Sequence, residues 1–242
     1  MGISSWKGTA LSRFLKFAVV SGLVFGFAAV ALAAGPVASA GGPSFASRRW
    51  EFGPFLQGGT GVGERSDFQF FAAGFQAGRT LTPVLHAGPL SGRFEMAVNV
   101  MPFWQAYTPA AHDVIVIAPG GNYPARVSGG TYTGFSVTPV IFRWNMAPGS
   151  RRITPWVQAA GGFIYTTEKF PPTVIVAKGT PGETSVFNFS PQGGGGFHYF
   201  TRPNRSIDFG VNAVHISSAS LGDKNPGVNA SVQFQFGYSW WK

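Results

Sequence analysis

The chain has 242 residues, 34 of them Gly and 24 Phe, and only 11% are charged, against roughly 25% in an ordinary soluble domain. It contains no Cys, which excludes disulfides, thiolate catalysis and anchoring through an N-terminal lipidated cysteine; its four His (His86, His112, His198, His215) lack the spacing of a zinc site. The net charge of +9 is not gathered into a stripe along the sequence, which argues against nucleic acid and for a basic surface near anionic lipid headgroups.

Residues 1–34 read as a cleaved secretory signal. Lys7, Arg13 and Lys16 form a basic start, the run 17–33 is apolar, and Ala31-Leu32-Ala33 offers a small-x-small cleavage site, with Ala38-Ser39-Ala40 as a later one. An uncleaved helix over the same run would be at the lower limit of length for a membrane span. Residues 35–47 are a Gly/Pro/Ser-rich flexible leader, and 48–242 form the folded domain.

Within that domain, strand-like segments follow one another at 49–58, 67–78, 93–104, 132–144, 153–166, 184–200, 206–217 and 228–241. The alternation is plainest in the third and the last. Phe94, Met96, Val98 and Val100 oppose Arg93, Glu95, Ala97 and Asn99; Val232, Phe234, Phe236, Tyr238 and Trp240 oppose Gln233, Gln235, Gly237 and Ser239. In the fourth, Phe135, Val137, Pro139 and Ile141 share one parity. Segments 106–130 and 167–183 are long, Pro/Gly-rich and structureless by pattern, whereas 147–150 and 202–204 are tight turns.

Eight strands of this length, apolar on one parity and small or polar on the other, suit an all-β fold. The expected form is an eight-stranded antiparallel transmembrane β-barrel of the outer-membrane type, apolar side out. Parity alone does not separate this from a soluble barrel with the apolar side in; the secretory signal, even strand count and aromatic last strand favour the membrane. Trp50, Trp104, Tyr107, Tyr132, Trp144, Trp156, Tyr165, Trp240 and Trp241 are expected in interfacial girdles, with His198 among them. Arg93 and Glu95 are expected as an inward salt-bridge pair, and the run Gly193-Gly194-Gly195-Gly196 as room for bulk or a bend on the inner face.

The stretch 213–229 carries the candidate chemistry. His215 and Ser217 stand two apart at the end of a strand, so they share a face. A histidine within reach of a serine hydroxyl is the minimum equipment for covalent acyl transfer. Both continue the apolar parity of Ile207, Phe209, Val211 and Ala213, so in a membrane barrel they face lipid; Asp208 has the opposite parity and is expected inside.

From about residue 188 onward, the Gly-rich strand before His198-Tyr199-Phe200, then His215-Ile216-Ser217-Ser218-Ala219, Asn225-Pro226-Gly227 and the aromatic last strand resemble the outer-membrane lipid A 3-O-deacylases of the PagL type. The resemblance implies an eight-stranded outer-membrane barrel with a serine-hydrolase site on its exterior, acting on lipid A or lipopolysaccharide without metal or cofactor. It makes Ser217 the nucleophile and His215 its base, and puts Asn229 where the family has a glutamate, with Asp223 as a possible substitute. Ser218 stands where the family usually has asparagine; the backbone near Ser218 and Ala219 would supply oxyanion donors, and Asn225 would order the turn or donate a hydrogen bond. A non-catalytic barrel of the same fold, structural or lipid-binding, is the alternative, and a soluble calyx for a lipophilic ligand a more distant one.

Overall fold

The computed structural model describes residues 48–118, 121–147, 152–172, 185–219 and 229–242; the signal and leader expected over 1–47 lie outside them. Among the described residues, strands β1 (Trp50–Gly61), β2 (Gln69–Thr80), β3 (Gly92–Tyr107), β6 (Thr131–Met146), β7 (Ile153–Phe170), β9 (Gln192–Arg202), β10 (Arg205–His215) and β11 (Ala230–Trp241) form an antiparallel meander. It closes through the β1–β11 ladder, so the fold is a closed eight-stranded barrel. The short strand β8 (Ser185–Phe189) pairs with the far end of β7 and continues the stave of β9. The break between them falls at Ser190-Pro191, while the four glycines sit inside unbroken β9.

One end of the barrel, that of the short turns, holds the described chain ends, the connections at 81–91 and 203–204 and the facing ends of β6 and β7 at Met146 and Ile153. The other, that of the long loops, holds the connection at 62–68 and the facing ends of β3 and β6 at Tyr107 and Thr131, of β7 and β8 at Phe170 and Ser185, and of β10 and β11 at His215 and Ala230. The segment 106–130 is not structureless: β4 (His112–Ala118) and β5 (Gly121–Val127) pair as a separate hairpin at the long-loop end. The β-branched run Val114-Ile115-Val116-Ile117 is the local reason.

Alternation puts one parity on the outer wall and the other in the lumen, with two corrections. On β3, two residues, Pro102 and Phe103, occupy the place of one where the register slips between Met101 and Trp104; on β6, Pro139 and Val140 do the same. Each bulge reverses the parity beyond it. Ile141, expected outside with Phe135, is therefore buried, and Trp104, expected in a girdle, turns inward. Proline has no N–H to offer the ladder, which is why such bulges carry it. Tyr132, Trp156 and Trp241 also lie in the lumen, leaving Trp50, Tyr107, Trp144, Tyr165 and Trp240 on the outer wall.

The lumen is filled by two layers. Towards the long loops, Phe68, Phe70, Met101, Trp104, Tyr132, Ile164, Phe170, Val214 and Ile216 make an apolar plug, with Phe170 edge-on to Phe70, Trp104 and Tyr132. Towards the short turns, the contents are charged. Arg143 donates to Glu51 Oε2 (2.9 Å), Gln76 Oε1 (2.8 Å) and Gln158 Oε1 (3.0 and 3.1 Å), lies 3.5 Å from Glu95 and stacks over Trp156. Arg93 and Glu95 are both inside as expected, but Arg93 donates to the Arg48 carbonyl while Glu95 takes Arg143 and the Asn145 amide (2.6 Å). His198 belongs here and not to a girdle: Nδ1 contacts Asp208 Oδ1 at 2.7 Å and Nε2 contacts Asn145 Oδ1 at 3.2 Å.

Trp156 explains one of the four glycines, Gly196, together with Gly210. A Cβ on Gly196 would stand 2.5 Å from its ring and one on Gly210 2.6 Å, so the indole lies flat across β9 and β10 only because both are bare. Arg143→Ala leaves Glu51 and Glu95 buried without their cation and should cost about 3–5 kcal/mol. Urea unfolding in detergent checks this, with the exposed Arg126–Asp113 pair (3.1 Å) as a control whose loss costs under about 1 kcal/mol.

Candidate active site

β10 runs towards the long-loop end with Asn212, Val214 and Ile216 turned inward and Val211, Ala213, His215 and Ser217 outward. Ile216 seats in the apolar plug and pins the strand between the two candidate catalytic residues. The backbone is held on both sides. Ser217 exchanges two hydrogen bonds with Phe189 (2.7 and 3.0 Å), the His215 N–H donates to the Pro191 carbonyl (3.0 Å), and the Ile216 N–H donates to the Asn229 carbonyl (2.8 Å). His215 and Ser217 are thus presented, half-exposed, on one outer face of a rigid wall. Past Ser217 the chain turns sharply: Ala219 has φ 49°, in the left-handed region, and its N–H donates to Ser217 Oγ (3.2 Å). A non-glycine residue there costs about 1–2 kcal/mol, and such strain gathers at functional turns.

The other expected site residues separate. Asn229 lies across from Ile216, one residue beyond the His215–Ala230 pair, and so takes the inward parity. Its Oδ1 accepts from Arg65 Nε (3.1 Å), in the turn between β1 and β2, and the Val62 N–H donates to the Ala230 carbonyl (2.9 Å). That turn is therefore stapled to the start of β11 beside the candidate site. Ser218 is fully buried, and its hydroxyl has no hydrogen-bond partner among the described residues. Asp223 and Asn225 lie outside the described residues. Arg65 was missed in the sequence because nothing local marks it; its partner is 164 residues away.

Below His215 the outer wall is unusually bare. Ala213, Gly193 and Ala159 are register partners across β10, β9 and β7, and Gly195 lies between Val211 and Val157 in the next outward row. Packing does not demand Gly193, whose added Cβ would meet only the Gln158 carbonyl at 3.5 Å. Phenylalanines stand above and below: Phe163, Phe187 and Phe189 in ring contact on the loop side, Phe197, Phe209 and Phe234 on the turn side. The result is an apolar recess about 20 Å long from Ser217 to Val211.

Among the described residues, the cluster of His and carboxylates close enough to hold a metal is Glu51, His198 and Asp208, within 4.8 Å of one another. It is luminal, on the other side of the wall from Ser217, and already engaged. Asp208 contacts His198, Ser206 and Ser239, and Glu51 contacts Arg143 and Ser239.

A family model described as lipid A 3-O-deacylase (PagL) matches residues 91–239, which include β3 and most of β11. No curated protein matches the chain significantly. Among solved structures the chain is similar to the outer membrane enzyme PagL, at 16% identity and TM-score 0.45 over 78% of this chain and 98% of that one. It is also similar to the N-terminal β-barrel domain of Pseudomonas aeruginosa OprF (11%, TM-score 0.38, 80% and 100%). A third is the outer membrane protein OprG from Pseudomonas aeruginosa (8%, TM-score 0.40, 82% and 98%). With more than half of its length matched by the family model, His215, Ser217 and Asn229 included, the chain belongs to the lipid A 3-O-deacylase (PagL) family.

Proposed function

We propose that the protein is an outer-membrane serine esterase that removes an ester-linked 3-O acyl chain from lipid A, with Ser217 as nucleophile and His215 as its base. The observation that carries this reading is the joint presentation of His215 and Ser217 on the lipid-facing side of a wall whose backbone is bonded to both neighbours. Ser217 Oγ attacks the ester carbonyl while His215 takes its proton. The tetrahedral intermediate collapses to an acyl-enzyme, and His215 returns the proton to the departing sugar oxygen. Water, deprotonated by the same histidine, then releases the fatty acid and restores Ser217. The Ala219 N–H, aimed at Oγ, is the nearest backbone donor for the oxyanion. The recess beneath Ser217 accepts the acyl chain, which need not leave the membrane.

Asn229 is the third residue by resemblance, an orienting amide without charge; its carbonyl oxygen is held by Arg65 and its parity is inward, opposite to that of His215. Asp223 and Asn225 remain supporting candidates from sequence alone. The Arg65–Asn229 contact also favours a second reading, a barrel that kept the scaffold after its acid was lost and put to structural use. Incubation of refolded protein in detergent with lipid A, followed by mass spectrometry of the acyl chains, separates the two. Release of one ester-linked chain by the wild type, lowered at least about 10³-fold in Ser217→Ala, supports the esterase. In Asn229→Glu the new carboxylate meets Arg65, so the rate should rise most in Asn229→Glu/Arg65→Gln. Activity confined to the glutamate variants would establish the decayed site, and none in any variant a structural barrel.

The recess has its own test. Ala213→Phe fills it without touching Ser217, and should slow long-chain esters roughly ten-fold or more while short-chain esters are cleaved as before. Comparing kcat/KM across a chain-length series reads this directly.

A further inference from the structure

Six exposed or half-exposed cations that are scattered in the sequence gather at one end of the barrel. Arg49, Arg79, Arg152, Arg202, Arg205 and Lys242 all lie exposed or half-exposed at the short-turn end, because an antiparallel meander brings every second connection to the same end. Among the described residues no exposed acid accompanies them. Glu51, Glu95 and Asp208 are buried in the lumen, and the exposed Asp67, Asp113 and Glu168 are at the long-loop end. Two of the arginines are built into the outer wall. Arg79 pairs across strands with Trp50 and lies 5.1 Å over its ring; Arg205 pairs with Trp240 and lies 5.7 Å over its ring. The four adjacent staves β2, β1, β11 and β10 thus carry two Arg-Trp pairs, offset by two residues across the β1–β11 ladder where Trp240 pairs with Phe52, and Phe52 and Tyr238 extend the same wall towards the membrane.

We infer that this collar binds the phosphates of anionic phospholipids, of the phosphatidylglycerol type, in the leaflet that meets the short turns. A lipid whose chains lie along the apolar wall carries its phosphate at the height where indole gives way to guanidinium. Guanidinium forks suit phosphate oxygens, and the indoles beneath keep them at the interface. Short turns face the periplasm in barrels of this kind, so the collar meets the inner leaflet, opposite to Ser217. It would thereby set the height of the barrel in the membrane. This inference rests on the orientation of the barrel and is independent of whether Ser217 is catalytic.

The test places the full barrel, after signal removal, in nanodiscs of equal phosphatidylglycerol and phosphatidylcholine, then counts the lipids retained on release by native mass spectrometry. Each basic side chain near an anionic surface is worth about five-fold, so clear enrichment of phosphatidylglycerol is expected. It should fall towards parity in Arg49→Gln/Arg79→Gln/Arg202→Gln/Arg205→Gln and persist in the matching lysine variant. Should the four-fold variant fail to refold, Arg79→Gln/Arg205→Gln and the wild type in molar salt read the same term. Equal retention of the two lipids by the wild type would overturn the inference. So would enrichment that survives the glutamine changes, or a collar that retains added lipid A in preference to phosphatidylglycerol.

Discussion

Closure of the sheet is the constraint on which the rest depends. In hydrocarbon an unpaired peptide group costs several kcal/mol, so a spanning sheet cannot keep an open edge. The ladder between β1 and β11 removes the last one. Once the wall is closed, every residue on a stave has only two destinations, lumen or lipid. The chemistry of each is then assigned by parity: apolar and aromatic outside, and inside either charge gathered around Arg143 or an apolar, largely aromatic plug.

Much of this was legible because a period of two survives any ignorance of the neighbours. The last strand reads correctly from Val232 to Trp240, and Asp208 is inside as its parity requires. The failures have a common form. Parity is cumulative, so a single inserted residue inverts everything beyond it, as at Pro102-Phe103 and Pro139-Val140. Both prolines stood in the sequence as warnings, but a strand with proline and no bulge reads the same. The girdle was over-drawn for another reason: aromatic rings serve equally to mark an interface and to fill a narrow lumen. Only the bare Gly196 and Gly210 opposite Trp156 reveal which task that indole has.

The candidate site was legible to the extent that it is local. His215 and Ser217 needed only strand periodicity, and the structure puts them together on the outer face. Asn229 required a second strand and a distant turn. Its backbone sits in the ladder opposite Ile216, and its amide oxygen is held by a guanidinium from the connection between β1 and β2. An amide can accept from Arg65 without acquiring a salt bridge, whereas a glutamate there would be drawn into one. Substitution at this position and the presence of Arg65 are therefore coupled, and neither can be interpreted alone.

On the proposed function, a site on the outside of a barrel has no protein pocket to exclude water, so the solvent-excluding task would pass to the membrane. That works only if the reacting serine stands at a fixed height, because a few ångströms decide whether its hydroxyl meets an ester or a methylene chain. Stiffness alone does not provide this, since a rigid cylinder slides as freely as a soft one. Height has to be set where the wall changes character, and the two ends of this barrel differ in kind: charge of both signs at the long loops, cations over indole at the short turns. Every stave spans the whole distance, so a barrel held at one end is positioned at the other. If both proposals hold, the collar and Ser217 act together, since Arg205 and Ser217 stand at opposite ends of the same stave.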